Sequence, residues 1–241
     1  KEAKKPDSRR RMDLVGMALL IVAVGAVALA IVQSESPHWT RTELGVAATT
    51  GVIALIGFVT WARVARAPLV DLRLFKHRTY TFVNLATLAF GIAFAMMFFA
   101  FFFYMTEVWH YTLPQAGLAI TPGPLLVIPF AILSGRLAAR LGHRPFLVGG
   151  SLVYAAAGLW FLLVPTAQAA YVTHWLPGLI LSGIGVGLVL PSLSAAAVNR
   201  LPADQYAVGS AVNQATRQIG SVMGVAITVL QIGRASCRER V

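Results

Sequence analysis

Four polar side chains lie close together in AVNQATRQIG, an otherwise apolar stretch near the end of the chain. Asn213 and Arg217 are four residues apart, as are Gln214 and Gln218, so a helix would carry them in two polar stripes. A charge inside a membrane-crossing helix is costly and usually serves a function. The spacing therefore predicts a functional polar network of Asn213, Gln214 and Arg217, unless Arg217 extends along its aliphatic stem to the membrane surface.

Residues able to act in catalysis or to bind a metal are not placed for that chemistry. None of the nine acids lies well inside an apolar stretch, so the usual intramembrane proton carrier is missing from this sequence. The five histidines fall between the apolar stretches without metal-ligand spacing, and Ser151 in GGSLV has no buried histidine to activate it. The sequence therefore predicts no catalytic residue, no metal site and no cofactor, and it disfavours an intramembrane enzyme.

Long apolar runs are the elements that must position these residues. Hydrophobic residues make up 57% of the chain and charged residues 12%, with a mean hydropathy of +0.72, which is unlike a soluble domain. A helix needs roughly 20 residues to cross a membrane, and backbone groups in lipid must be satisfied within the helix. The sequence therefore predicts an all-α bundle of about seven transmembrane helices: 14–32, 44–62, 80–106, 116–134, 146–164, 176–198 and, with the polar network, 207–231.

Individual residues within these runs carry further predictions. Asp13 precedes the first run and is placed to cap its helix. In the aromatic third run, Asn84, Phe98 and Phe102 fall near one face and are predicted to line a substrate cavity, although phenylalanines there can also face lipid. Prolines are predicted to bend or break the fourth and sixth runs, and the glycines of GIGVG to let helices pack closely: Pro122, Pro124, Pro129, Pro191, Gly183 and Gly187.

The basic residues indicate which loops face the cytoplasm. Six precede the first run, five lie at 63–78, three at 136–144 and one at Arg200, whereas the alternate loops carry only Arg41. This is the positive-inside pattern, with the N-terminal segment in the cytoplasm. It also accounts for the net charge of +11 without a nucleic-acid partner.

The last ten residues, IGRASCRERV, do not fit that pattern. After seven spans a basic tail would emerge on the outer side, where the other loops lack basic residues. A short basic tail on a chain of six or eight spans is one explanation. The other is that 232–241 resembles, residue for residue, a reading frame of a common sequencing adapter, in which case the segment is non-native and Cys237 carries no information on redox state.

Several loop motifs resemble those of one transporter family. RMDLVGMALL, ARAPLVDLRLFKHRTYTFVN and NQATRQIGSVMGVAI resemble the fourteen-span drug:proton antiporter branch of the major facilitator superfamily. GRLAARLGHRP resembles the cytoplasmic motif of that superfamily, with Ala139 in place of its aspartate and His143 in place of an arginine. The resemblance implies a cytoplasmic gate motif made of Gly135, Arg136, Arg140, Gly142 and Arg144.

The resemblance also implies a domain organisation. The chain would comprise a cytoplasmic segment (1–13), two linker spans between the transporter halves (14–64), a cytoplasmic loop (65–79) and five spans of an incomplete C-terminal half (80–231), followed by the tail at 232–241. The proton-binding acids of the family would then lie in a half that this sequence does not include.

The function implied is proton-coupled export of small amphipathic or cationic compounds. The protein would work as a monomer in a bacterial cytoplasmic membrane, by alternating access, with protons, lipid and a small-molecule substrate as its partners and the proton gradient as its energy source. Arg217, Asn213 and Gln214 would respond to protonation elsewhere. A transporter of the same fold for a metabolite, siderophore or lipid is the alternative, and an intramembrane enzyme is a remote one.

Overall fold

The computed structural model describes residues 13–33, 39–65, 72–199, 201–202 and 205–238, with side chains at all of these positions except 72, 73 and 233–238. Every regular element in these ranges is helical. A short 3₁₀ helix, Leu72–Lys76, precedes α3, and π-helical turns, Tyr104–Val108 and Tyr171–Trp175, follow α3 and precede α7. The α-helices are α1 (Leu14–Val32), α2 (Arg41–Val64), α3 (Arg78–Phe103), α4 (Leu113–Ile120), α5 (Pro122–Leu141), α6 (Arg144–Leu163), α7 (Leu176–Val198) and α8 (Tyr206–Arg238).

Six of the described helical stretches are long and apolar enough to cross a membrane: Leu14–Val32, Arg41–Val64, Arg78–Val108, Leu113–Leu141, Arg144–Leu163 and Tyr171–Val198. They coincide with the six apolar runs of the sequence, which confirms the all-α transmembrane fold class. The seventh predicted span is a helix too, α8, but it is not among these six. That α8 crosses the membrane stays a prediction.

The chain divides into two compact units. One contains Lys1–Met96 and Arg200–Val241, and the other contains Met97–Asn199. The division into linker spans and half-transporter refers to a longer protein and stays a prediction. The predicted cytoplasmic segment lies outside the described residues except for Asp13, as do the side chains of the predicted non-native tail beyond residue 232.

Helices α1 and α2 pack against each other in the first unit. The Asp13 carboxylate accepts a hydrogen bond from the Gly16 N–H at 2.8 Å, which confirms the predicted cap of α1. The same oxygen accepts from the indole N–H of Trp61 in α2 at 2.9 Å. A Cβ at Gly51 would lie 2.6 Å from Val27 Cγ2, so the two helices touch where α2 has no side chain.

Helix α7 is the most deeply buried element of the second unit and packs against both α5 and α6. A Cβ at Gly183 would lie 2.6 Å from the carbonyl oxygen of Gly123 in α5, and one at Gly187 would lie 2.7 Å from Phe130 Cβ. Gly185 meets Tyr154 of α6 in the same way. The glycines of GIGVG are therefore packing positions between helices, as predicted.

The prolines of the second unit act in two ways. α4 ends at Ile120 and α5 begins at Pro122, so the predicted break occurs there. Pro122 and Pro124 lie in the first turn of α5, where backbone N–H groups have no intrahelical partner in any case. Pro129 and Pro191 lie inside α5 and α7, and both helices continue past them.

Candidate functional site

Helices α3 and α8 run side by side in the first unit with a constant register. The hydroxyl of Tyr80 donates to the carbonyl of Gly209 at 3.0 Å, and Asn84 hydrogen-bonds Asn213. Each of these pairs is 129 residues apart, and so is the contact between Gly91 and Gly220. A constant separation means that the two helices are parallel and that a residue of α8 lies level with the α3 residue 129 positions earlier.

A buried amide network joins the two helices. The Asn213 side-chain N–H₂ donates to Asn84 Oδ1 at 3.2 Å and to Thr87 Oγ1 at 2.9 Å. The Asn84 N–H₂ donates to the Tyr80 carbonyl at 2.9 Å, and the Thr87 hydroxyl donates to the Val83 carbonyl at 2.9 Å. Asn84, Thr87 and Asn213 are only 3%, 1% and 4% exposed, so these bonds replace those that water would make.

Glycines continue the contact beyond the amides. A Cβ at Gly91 would lie 2.8 Å from the Arg217 carbonyl oxygen, and one at Gly220 would lie 2.5 Å from the Leu88 carbonyl oxygen. Gly224, one turn further, meets the backbone of α3 in the same way. Gly220 and Gly224 form a small-xxx-small pair that lets the two backbones touch.

The predicted polar network is only partly assembled. Asn213 is buried against α3, Arg217 is partly buried and Gln214 is exposed. The Arg217 carbonyl accepts from the Ser221 hydroxyl at 3.1 Å. The hydrogen bonds found among the described residues include neither the Arg217 guanidinium nor the Gln214 amide. The partners of Asn213 are instead Asn84, which the sequence assigned to a cavity wall, and Thr87, which no local pattern singled out.

The other predicted cavity residues lie in the second unit. The rings of Phe98 and Phe102 meet edge to face, with centroids 5.4 Å apart. Phe102 also packs against a buried aromatic cluster, and Phe98 is 38% exposed. The structure therefore places these two side chains together and Asn84 in a different contact. That the three line a substrate cavity stays a prediction.

The residues of the predicted gate motif lie at the turn between α5 and α6. Arg136 and Arg140 are exposed and one helical turn apart in α5, and Arg144 begins α6. Gly142 ends α5 with φ 78° and ψ 172°, and its N–H donates to the Ala138 carbonyl at 2.9 Å. Only glycine adopts that conformation readily. Gly142 thus sets the turn between α5 and α6. Gly135 lies in α5 with open space around it. The gating role of all five residues stays a prediction.

An aromatic cluster in the second unit was missed by the sequence reasoning. Trp175 is 2% exposed, and the rings of Phe101, Tyr104, Trp109 and Phe161 surround it, with centroids 4.8 to 5.4 Å from its own. Tyr104 begins one π-helical turn, Trp109 directly follows it, and Trp175 ends the other turn. Such turns often occur at functional sites. The one available signal was the density of Trp and Tyr at 104–111 and 171–175.

The amide network predicts a measurable coupling between α3 and α8. Asn213→Ala and Asn84→Ala are each expected to lower the free energy of unfolding by about 1 to 2 kcal/mol, because each leaves a buried polar partner unsatisfied. The double variant is expected to lose less than the sum of the two, because both changes remove the same bond. Thermal unfolding in detergent measures this. Additive losses would mean that the two amides do not interact.

Comparison with known proteins agrees with this architecture. The model of the family described as Major Facilitator Superfamily matches residues 12–225. "Multidrug resistance protein Stp" of Mycobacterium tuberculosis is 32% identical over 221 residues, covering 90% of this chain and 40% of that protein. "Multidrug export protein EmrB" of Escherichia coli strain K12 is 26% identical, covering 91% and 43%. "Cephamycin export protein CmcT" of Amycolatopsis lactamdurans is 29% identical, covering 95% and 48%.

The chain thus spans between two fifths and one half of the length of these curated relatives. The family model covers well over half of the chain, and its range takes in all of α1 to α7 and most of α8. The resemblance of the loop motifs to the superfamily is confirmed. The chain is a multi-pass membrane protein that belongs to the Major Facilitator Superfamily.

Proposed function

We propose that the complete protein carrying this chain is a proton-coupled exporter of small amphipathic or cationic compounds. The observation that carries the proposal is the partly buried Arg217, which lies beside the buried amide network in a helix that packs on a candidate membrane span. The names of the Stp and EmrB relatives, which refer to multidrug resistance and export, support the choice of cargo. The drug:proton antiporter branch of the superfamily is the finer assignment we favour.

The proposed mechanism is alternating access, in which two helix bundles rock around a central cavity. In the first unit, α3 and α8 would move as one piece, because amides and glycines hold them in register. Arg217 lies on that pair and carries a fixed charge at membrane depth, so protonation of a nearby acid would change the energy of its surroundings. None of the acids of this chain lies well inside a span, so the acid is proposed to lie elsewhere in the complete protein.

Replacing Arg217 tests the proposal. Arg217→Ala in the complete protein is expected to lower the rate of dye efflux at least tenfold, equivalent to about 1.4 kcal/mol in the barrier, because the charge that responds to protonation is lost. The dependence of efflux on the pH gradient is expected to weaken as well. Fluorescent-dye efflux from cells or vesicles, measured over a series of imposed pH gradients, provides both numbers.

Two further variants serve as controls. Arg217→Lys keeps the charge and is expected to retain more efflux than Arg217→Ala. Arg63→Ala removes an exposed charge from the last turn of α2 and is expected to leave efflux unchanged. Unchanged efflux and unchanged pH dependence in Arg217→Ala would refute the assignment of Arg217.

The proposal includes a cellular setting. The protein would lie in a bacterial cytoplasmic membrane as a monomer, with the N-terminal segment and the turn at Gly142 on the cytoplasmic side, as the distribution of basic residues favours. Protons, lipid and the exported compound are its partners, and nucleic acid is not among them. The proton gradient supplies the energy, no cofactor takes part and no covalent chemistry is done.

A second candidate is a transporter of the same fold with a narrow substrate, such as a metabolite, siderophore or lipid. The name of the CmcT relative favours it, because that name refers to the export of one product, cephamycin. Parallel uptake and efflux assays with a lipophilic cationic dye and with a polar metabolite distinguish the two. Efflux of the dye supports the drug exporter, whereas transport of the metabolite alone supports the second candidate.

A further inference from the structure

The face of α8 that does not contact α3 carries amide side chains, where a membrane helix normally carries apolar ones. Gln214 and Gln218 are one helical turn apart and both are exposed, whereas Asn213 is covered by α3. The hydrogen bonds found among the described residues include neither glutamine side chain. α8 thus has two polar stripes, one sealed by α3 and one open, and the partly buried Arg217 lies between them.

The register with α3 gives the depth of the open stripe. A separation of 129 residues puts Gln214 level with Leu85 and Gln218 level with residue 89. With 1.5 Å per helical residue, these levels lie roughly 10 and 16 Å along α3 from Arg78. α3 belongs to the candidate membrane span that begins at Arg78, and the centre of a bilayer is about 15 Å from the edge of its hydrocarbon core. Both glutamines are therefore at membrane depth.

At the same depth, the exposed face of α3 is apolar. Phe82 and Leu85 are 69% and 59% exposed, which suits contact with lipid. A glutamine amide in lipid would leave its donors and acceptor without partners, so the glutamine face of α8 does not suit lipid. Side chains at the same level of two adjacent helices thus require different surroundings.

The open stripe is also poorly shaped for packing against another helix. Where α8 does pack closely on a helix, it presents glycines, at Gly220 and Gly224. The open face presents the long side chains of Gln214 and Gln218 instead, so a helix covering it would have to lie further from α8 than α3 does. Water satisfies the donors and acceptors of both amides without a neighbouring helix.

We propose that Gln214 and Gln218 line a water-filled path through the protein and hydrogen-bond the polar groups of the compound that passes along it. This inference rests on the proposed transport function, which supplies the reason for a path. The proposal assigns cargo binding to two further residues. It also means that α8 lines the path on one side while it packs against α3 on the other. Gln214 and Gln218 would accept and donate hydrogen bonds without adding charge, which suits cargo with varied polar groups.

Accessibility of single cysteines tests the proposal without requiring transport. Gln214→Cys and Gln218→Cys are made in the complete protein after its native cysteines have been replaced by serine. Leu85→Cys, level with Gln214 on the exposed face of α3, is the matched control, and Phe82→Cys, about one helical turn nearer to Arg78 on the same face, is a second control. The probe is a permanently charged methanethiosulfonate added to both sides of membrane vesicles. Its reaction is followed by the loss of later labelling with a maleimide in denaturant.

The glutamine positions are expected to react at least about tenfold faster than Leu85→Cys, because a thiol ionises and reacts in water but not in lipid. Equal reaction rates with the methanethiosulfonate at all four positions would overturn the proposal. Slow reaction at the two glutamine positions, as expected if another helix covers them, would also overturn it. Both glutamines are exposed, so the cysteine variants are expected to fold, and size-exclusion chromatography checks this. Fast labelling in a protein that exports no dye would keep the path and refute only the proposed export function.

Discussion

Gly220→Val in the complete protein is expected to separate α8 from α3 and to lower the free energy of unfolding by about 3 kcal/mol, the upper end of the usual cost of overpacking. The added side chain would begin 2.5 Å from the Leu88 carbonyl oxygen. That atom belongs to the backbone of α3, which cannot rotate away as a side chain can. A shift of α8 would in turn stretch the bonds from Asn213 to Asn84 and Thr87.

The thermal midpoint of the monodisperse protein in detergent measures the effect. Gly25→Val is the matched control, because Gly25 lies in α1 with nothing within 4 Å of an added Cβ. The control is expected to keep its midpoint, and Gly220→Ala is expected to fall between the two, because even one methyl group meets the Leu88 carbonyl. Equal midpoints for Gly220→Val and Gly25→Val would show that the close contact of α3 and α8 does not stabilise the protein.

The sequence predicted the helices well because lipid restricts the choice of structure. An apolar run of membrane length can satisfy its backbone only as a helix, so most ends of the six runs agreed with the six helical stretches to within three residues. The two larger differences are α5, which continues from the predicted end at 134 to Leu141, and the π-helical turn Tyr171–Trp175, which precedes the predicted start at 176. The cap at Asp13 and the packing role of Gly183 and Gly187 were also local features, readable from neighbours in sequence.

Contacts between distant helices could not be read in this way. Asn84 was assigned to a cavity-lining face and Asn213 to a polar network, but nothing within either helix shows that they are partners 129 residues apart. The two residues were assigned to different sites, a cavity wall and a polar network, because the sequence patterns of the two helices were considered separately. Thr87 was missed because a threonine that bonds back to its own helix is common in membrane helices and has no distinctive spacing.

The aromatic cluster escaped prediction for a different reason. Tyr104 and Trp109 are five residues apart, a spacing that an α-helix places about 140° apart around its axis. The π-helical turn Tyr104–Val108 is wider, and it brings both rings against Trp175. A reading based on the α-helical period assigns these residues to different faces, so it cannot find the cluster.

Trp175→Ala is expected to be the most damaging substitution in the second unit, lowering the free energy of unfolding by about 3 to 5 kcal/mol. It would remove the ring that is in contact with Phe101, Tyr104, Trp109 and Phe161. The space left by the indole would be too large for these four side chains to fill. Trp61→Ala is the control, because Trp61 is 38% exposed on α2. Trp61→Ala loses fewer contacts, so it is expected to lower the thermal midpoint in detergent less than Trp175→Ala does.

Trp175→Phe separates the ring contacts from the indole N–H. Among the described residues, that N–H is buried without an acceptor, so removing it relieves an unsatisfied donor while most aromatic contacts remain. The variant is expected to lose less than about 1.5 kcal/mol, well below the loss in Trp175→Ala. If Trp175→Phe were as damaging as Trp175→Ala, the indole N–H would have to hold a partner that stabilises the protein. If Trp175→Ala lowered the midpoint no more than Trp61→Ala, the aromatic cluster would not be a core of this unit.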